Sequence, residues 1–446
     1  MGTLLRSFPQ ADVAMRKLLE LSFGRKRIER ITERIGAERL QQAEQVADFQ
    51  KLTLMEKIEG PVGVAAPEAA AVMLDGGRYQ RQEQNPDATS EKSTHWFEYK
   101  AGLCLELEDR RDGVERGPEA CDPCPEVPDF LLNLDYVDKL TREIGQKAAL
   151  MADESIDCGG VPTASDPPGR ADSDEAPVDI DLEAVKSLAD LEAQLAAVNA
   201  EASSRRDAEQ VPLSPRVQSR EVVATLEKGP QIGLQLAARA WKLGMFQAAY
   251  KAFVGDGSGW IWTIYATFFK PFGFIQILDI IHGVTYVYAA AMAGRTHWEG
   301  AAVYRQWVRW LWQGEVSQVI AALAARQAEL GLPSSEESDT SPRRIVSQAL
   351  TYLQNQQGRM RYPEYRKLGL PITSSHMESA IKELNYRIKG TEKFWGEDGG
   401  ASILQMKSDT LSDSDPLAEF WTTRCATRTG FHNSVGRRKP AKQAAA

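Results

Sequence analysis

Three carboxylates stand where the pattern of the chain could assemble a site. Asp75 closes the apolar run from Ala69 to Leu74, Asp256 closes Ala252-Phe-Val-Gly, and Glu378 falls in the first turn of a helix expected to run to about Lys389. The ends of strands are where α/β sheets build their sites. Hard divalent cations such as Mg²⁺ take oxygen ligands and need only a few carboxylates, keeping positions open for water and phosphate. Three acids suffice for two ions, and two ions about 4 Å apart can activate an attacking oxygen and stabilise a leaving one, so no protein nucleophile is required. Each acid has an ordinary alternative. Asp75-Gly and Asp256-Gly read equally as turns, and Ser375 with Glu378 has the spacing of a capping box, which would explain Glu378 completely.

Cations flank the third acid: Lys382, Arg387 and Lys389, with Asn385, on the expected helix, and Arg359, Arg361 and Arg366 before it. Beside a carboxylate triad they suit phosphate contact; without one they are a solvated face. Trp395, Trp421 and the tryptophans from Trp307 to Trp312 read as core, because large aromatics at helical spacing usually pack. Cys121 and Cys124 form a CxxC, but no second pair supplies the other ligands of a structural zinc site.

The elements that must position these residues divide the chain. Residues 1–60 repeat apolar residues at helical spacing and read as a small helical unit, either a DNA-binding helix-turn-helix or a plain hairpin. Residues 69–108 hold two strands, the first ending at Asp75 and the second alternating from Phe97 to Leu107. Residues 109–219 carry Pro, Gly, Asp, Ser and Glu with few aromatics and read as an acidic, largely disordered insertion or linker. Residues 220–296 give strand, helix, strand, helix and strand, the α/β pattern. Residues 297–368 form a helical section opening on one long amphipathic helix from His297 to Leu330. Residues 369–422 carry the third-acid helix, and 423–446 a basic, disordered tail.

The 446 residues allow two or three domains, with the apolar and charged fractions of an ordinary globular protein. The start Met-Gly-Thr-Leu-Leu-Arg lacks the marks of a secretory signal, so a cytoplasmic protein is expected, nucleoid-associated when bound to DNA. Lys270, Pro271, Asp279 and His282 break the apolar stretch from Trp260 to Ala293 into pieces too short to span a membrane, and it reads as buried core. Five irregularly spaced cysteines give no disulfide framework. A net charge of −9 argues against nucleic-acid binding only until its placement is considered. The acidic excess lies between about Ala152 and Glu209, whereas Arg16, Lys17, Arg25, Lys26, Arg27, Arg30 and Arg34 crowd the first forty residues. From Arg424 onward Arg428, Arg437, Arg438, Lys439 and Lys442 stand without an acidic residue.

Val72-Met-Leu-Asp-Gly-Gly-Arg, Phe253-Val-Gly-Asp-Gly-Ser-Gly-Trp-Ile-Trp and Ile277-Leu-Asp-Ile-Ile-His resemble, in that order, the motifs of bacterial insertion-sequence DDE transposases distantly similar to Mutator-type enzymes. Gly369-Leu-Pro-Ile-Thr-Ser-Ser-His-Met-Glu-Ser, Asn385-Tyr-Arg-Ile-Lys-Gly, Lys393-Phe-Trp and Glu419-Phe-Trp resemble the third-acid region of the same family. The similarity covers about Ala69 to Leu107 and Val222 to Trp421. The long stretch between Asp75 and Asp256, and the lack of an N-terminal zinc module, depart from the family.

The resemblance implies an RNase H-like fold, a mixed sheet flanked by helices with an all-helical insertion before the third acid. It implies that Asp75, Asp256 and Glu378 are catalytic and hold two Mg²⁺ (or Mn²⁺) ions, with Asp279 and His282 supporting the site; His282 also reads as a buried core histidine. The implied partner is double-stranded DNA, the element's terminal repeats and a target, bound by at least a dimer. Two rivals stand beside this expectation: an inactive or repurposed transposase-derived DNA-binding protein, and an RNase H-fold nuclease that cuts without joining.

Overall fold

The run from Ala69 does not stop at its aspartate. It forms β1 (Ala69–Gln82), paired antiparallel over its whole length with β2 (Thr94–Leu107), the strand that the alternation from Phe97 predicts. The computed structural model describes residues 1–41, 44–82, 94–108, 116–154, 180–195, 197, 215–227, 229–390 and 393–427. Strand β3 (Val217–Thr225) is antiparallel to β2; β4 (Tyr250–Gly255) is parallel to β1 and β5 (Ile275–Leu278) parallel to β4. The order is β3-β2-β1-β4-β5, and a short β6 (Phe394–Trp395) pairs with the far end of β1. The chain is therefore an α/β protein with a mixed sheet.

Helices precede and separate these strands. Four lie before the sheet: α1 (Phe8–Leu19), α2 (Arg25–Gln41), α3 (Glu44–Lys51) and α4 (Leu54–Glu59). Between β2 and β3 come α5 (Asp129–Leu132) and α6 (Leu134–Glu154). Then follow α7 (Pro230–Lys242), α8 (Gly259–Phe268) and α9 (Ile280–Met292). The helical section comprises α10 (His297–Trp312), α11 (Val316–Leu330), α12 (Pro342–Gln356) and α13 (Tyr362–Lys367). The chain closes with α14 (Ser375–Ile388), α15 (Glu397–Thr410) and α16 (Pro416–Thr427).

Pairing registers assign the two faces of the sheet. Tyr99 reaches Asn385 of α14 and Tyr79 lies against Gly400 of α15, so Asp75, Gly77, Tyr79 and their partners on β2 face α14 and α15. A Cβ on Gly102, which pairs with Leu74, would meet Leu236 of α7, so the alternate residues face the other side. The stretch from Trp260 to Ala293, expected as core, buries Ile261, Trp262, Ile264, Phe269, Ile277, Leu278, Ile280, Val284 and Val287. Among the described residues no helix is long and apolar enough to cross a membrane.

Three expectations need correction. The helix expected to run unbroken from His297 to Leu330 is two, because the chain turns at Gly314, whose φ of +77° is left-handed backbone that glycine adopts without strain. The stretch from 109 to 219, expected to bury little, supplies Leu131 and Val137 to the main core, and Tyr304 donates to the Leu131 carbonyl at 2.6 Å. Its Ile180, Val185 and Leu191 form a second small core with Leu5, Ala11, Ala14 and Ile28 of the N-terminal unit. An average taken over the whole stretch hides the local cluster Phe130, Leu131, Leu132, Leu134, Tyr136 and Val137; residues 109–115, 155–179, 196 and 198–214 lie outside the described residues. Of the tail, 423–427 complete α16, and 428–446 lie outside as well.

The N-terminal unit is docked on the sheet's helical cover. A Cβ on Gly36 of α2 would strike the Ser402 backbone of α15, and Arg39 pairs with Asp409 at 2.7 Å. Between β3, α14 and α15 lies a charged layer in which Arg220 holds Glu383 through both carboxylate oxygens, beside the buried Lys407.

Candidate active site

The pairing of β1 with β4 ends at Met73 and Val254, two residues before Asp75 on one strand and two before Asp256 on the other. The two acids are thus level on adjacent strands, which run about 4.8 Å apart. Asp75 lies within β1 and not at its end, a correction to the expected strand-to-turn reading. Gly76 and Gly77 make no turn there. A Cβ on Gly77 would stand 2.1 Å from the Tyr99 ring, so the missing side chain lets Tyr99 cross β1 and donate to Asn385 Oδ1 at 2.9 Å. Burial raises the Tyr99 phenol pKa and the Asp75 charge raises it further, which keeps that donor protonated. Asp75 Oδ1 accepts its own neighbour's N–H, from Gly76, at 2.7 Å.

Asp256 follows β4 directly, and its Oδ1 accepts the Ser258 N–H at 2.8 Å, an Asx turn that leads into α8. The helical section holds this turn from outside. Tyr352 of α12 donates its hydroxyl to the Asp256 carbonyl at 2.8 Å, and Gln356 Nε2 donates to the Gly257 carbonyl at 3.0 Å. Gly257 adopts φ +102° beneath Tyr352, a conformation and a closeness that a Cβ would forbid. Tyr286 of α9 stacks on Tyr352, ring centroids 3.9 Å apart. Burial raises both phenol pKa values, and the Asp256 charge contributes to each.

Asp279 is one residue beyond Leu278, the partner of Gly255, and so sits beside Asp256. It is fully buried and caps α9, with Oδ1 accepting the Ile281 N–H at 2.8 Å. Its Oδ2 accepts the Ser374 backbone N–H at 3.1 Å and also the Ser374 hydroxyl. Desolvation raises the Asp279 pKa, the nearby His282 and the Ser374 bond oppose the rise, and Glu378 adds to it. Glu378 is therefore close enough to Asp279 to be felt electrostatically. It is half-buried in the first turn of α14, whose N-cap is Ser374 and has no side-chain capping bond. The capping box expected from Ser375 and Glu378 is not formed: Ser375 is already helical, and the Ser374 hydroxyl is engaged with Asp279.

The expected cationic approach divides. Arg387 is 1% exposed; its Nε donates to the Gly2 carbonyl at 2.9 Å and its guanidinium lies 4.3 Å from the Phe8 ring centroid. Burial lowers its pKa to about 10. It pins the N-terminal segment and does not face solvent. Arg366 is likewise buried, paired with Asp122 across the loop that holds Cys121 and Cys124. Arg359 lies over Trp262 and donates to Gln276 Oε1, which ties α12 to β5. Asn385 is engaged by Tyr99. Lys382 and Arg361 are exposed, with Arg361 paired to Glu364 at 2.9 Å, and Lys389 is half-buried near Trp96. Trp395 is core as expected, but Trp421 is 41% exposed.

Tyr352, Gln356 and Ser374 escaped the sequence reading. Tyr352 lies on α12 among residues that pack, and Ser374 stands next to the Ser375 that the capping-box spacing singles out. Among the described residues no three His, Cys, Asp or Glu side chains are gathered closely enough to hold one ion. The donor set along this rim is nevertheless all carboxylate, the chemistry a hard divalent cation requires. No protein-family model, no curated protein and no solved structure matches the chain.

Proposed function

We propose that the chain is a divalent-metal-dependent DNA transposase with an RNase H-like core, cutting phosphodiester bonds at the ends of an insertion sequence and joining the freed 3′-hydroxyls to a target duplex. The observation that carries this reading is the register: Asp75 and Asp256 level on adjacent parallel strands, with Asp279 beside Asp256 bonded to Ser374, the N-cap of the Glu378 helix. A central β1, antiparallel to one neighbour and parallel to the other, supports the RNase H-like assignment.

Asp75, Asp256 and Glu378 would hold Mg²⁺ or Mn²⁺, whose chemistry is to activate the attacking oxygen and stabilise the leaving one. The protein's own contribution is placement. Tyr352 and Gln356 fix the Asp256 turn, and Asp279 with Ser374 fixes the start of the Glu378 helix. His282, one turn along α9, opposes the rise of the Asp279 pKa electrostatically. Lys382 is the exposed cation on the acid-bearing helix and takes the role of phosphate contact, which excludes Arg387 from it. Joining two element ends requires at least two copies on DNA.

The test is cleavage and joining of a duplex that carries the native element end, with and without Mg²⁺. Metal-dependent nicking followed by strand transfer is expected. Nicking without transfer would favour a nuclease, and DNA binding without nicking a repurposed binding protein.

A further inference from the structure

Strands β1 and β2 outrun the rest of the sheet. Pairing of β4 with β1 stops at Met73, and pairing of β3 with β2 stops at Lys100, so residues 76–82 and 94–99 continue as a two-stranded ribbon joined at its far end by β6. One face of the ribbon is closed by α14 and α15 over Tyr79 and Tyr99, which are 2% and 0% exposed. The other face is partly covered: Trp96 and Glu98 are exposed, and Arg78, Gln80 and Lys100 are half-buried. Register puts Phe394, Gln80 and Trp96 in one row across the three strands there, with Arg78 and Glu98 in the next row and Gly76 and Lys100 in the row after.

Two aromatics in the outer row are unusually uncovered, Trp96 at 39% and Phe394 at 41% exposed, although both lie in regular strands. The Gln80 side-chain oxygen between them has no hydrogen-bond partner. Cations border the face: Lys389 is 5.9 Å from the Trp96 ring centroid, and Lys100 lies 4.1 Å over the Trp260 ring. Trp260 belongs to the first turn of α8, just past Asp256, so one of these cation–aromatic pairs borders the Asp256 turn and the other the outer row. Among the described residues of β1, β2 and β6, Glu98 is the acid on this face, and it is paired with Lys100.

We propose that this face is a binding site for unpaired DNA, whose bases stack against Trp96 and Phe394 while Arg78, Lys100 and Lys389 follow the phosphates. The proposal rests on the reading of the chain as a DNA-cleaving enzyme. Aromatic platforms lined by cations hold single strands because every base offers a π-face. Gln80 is five residues beyond Asp75, about 17 Å along an extended strand, and on the opposite face of the sheet from the Asp75 carboxylate. The unpaired edge of β2 admits another occupant, the same edge of a second copy, but the row of charges favours a polyanion.

The experiment compares the full chain with Trp96→Ala/Phe394→Ala and with Trp96→Phe, measuring affinity for a twenty-residue oligothymidine and for a blunt duplex carrying the element end, at one salt concentration without divalent metal. The double variant should lose at least about tenfold on the oligothymidine, the size of one lost base stack. It should change less than about twofold on the duplex and keep the wild-type melting temperature, and Trp96→Phe should keep most of the single-strand affinity. Equal losses on both DNAs, or none on either, overturn the platform. A wild-type dimer that becomes a monomer in the double variant overturns it too, and assigns the face to a second copy. If the wild-type chain binds neither DNA, the transposase reading falls and takes the platform with it. If the wild-type chain binds and cleaves but the double variant keeps its oligothymidine affinity, only the platform falls.

Discussion

The Asp279 carboxylate receives both the backbone N–H and the hydroxyl of Ser374, so the residue that caps α9 after β5 also anchors the helix that carries Glu378. The Ser374 bonds fix how far α14 stands from the ends of the parallel strands. Ser374→Ala keeps the backbone bond and removes the hydroxyl from a buried carboxylate. A loss of about 1.5–3 kcal/mol is expected in denaturant unfolding, the range for hydrogen bonds to charged groups. DNA cleavage should fall further than the unfolded fraction explains, because the variant also frees the Glu378 helix. Unchanged cleavage by a variant of lowered stability would show that the link is structural only.

Tyr352→Phe tests the second support. The change leaves the stack on Tyr286 and deletes one donor, orphaning the Asp256 carbonyl at a cost of about 1–3 kcal/mol. The Mg²⁺ concentration for half-maximal cleavage should rise severalfold, since the turn that presents Asp256 is loosened. A metal titration superimposable on wild type would contradict a role for the helical section in placing the second acid.

Lys407 gives a pH signature independent of activity. Burial holds its ammonium pKa down to about 8 from 10.5, with Glu383 pulling it up and Arg220 and Arg387 pushing it down. Between about pH 8 and 10.5 the unfolded chain binds more protons here than the folded chain, so this position's contribution to stability rises with pH across that window. Below it both states are protonated and the penalty is constant. Lys407→Met should therefore be more stable than wild type at neutral pH by on the order of 2 kcal/mol, with the gap closing as pH rises. Stability curves against pH that stay parallel would refute the assignment.

Much of this architecture was legible in the sequence, for identifiable reasons. The alternation from Phe97 to Leu107 marks the strand, although the wet face it predicts is covered by α7 at Gly102 and Cys104, and the apolar run before Asp256 follows from full burial; both are local signals. The extension of β1 past Asp75 was not, because Asp-Gly-Gly carries a turn signature unless one knows that Tyr99 must cross the strand at Gly77. Arg387 misled for a similar reason. A cation on a helix face reads as solvated, and nothing local reveals that Phe8, Trp395 and the Gly2 carbonyl enclose it. The capping box failed because the helix starts one residue earlier than Ser375 and Glu378 imply, with Ser374, held by Asp279, at its N-cap.

The two cations on α14 should accordingly separate. Lys382→Ala is expected to leave stability within about 0.5 kcal/mol and to reduce the salt dependence of DNA binding by about one phosphate contact. Arg387→Ala is expected to cost about 3 kcal/mol or more through lost packing and an unpaired carbonyl, without changing the salt slope of the folded fraction. Fluorescence anisotropy against salt, run beside unfolding curves, reads both; a reversed pattern would put Arg387 back on the DNA.

Level carboxylates on β1 and β4 would form a metal-dependent cutting site, and Mg²⁺-dependent nicking of the element-end duplex by wild type and by Asp256→Asn reads this out. The substitution keeps the Asx acceptor for Ser258 but makes a poor ligand for a hard cation. The account predicts a folded, DNA-binding variant whose nicking is lower by at least about a thousandfold, or some 4 kcal/mol of lost transition-state stabilisation. An Asp256→Asn protein that nicks at the wild-type rate would contradict it.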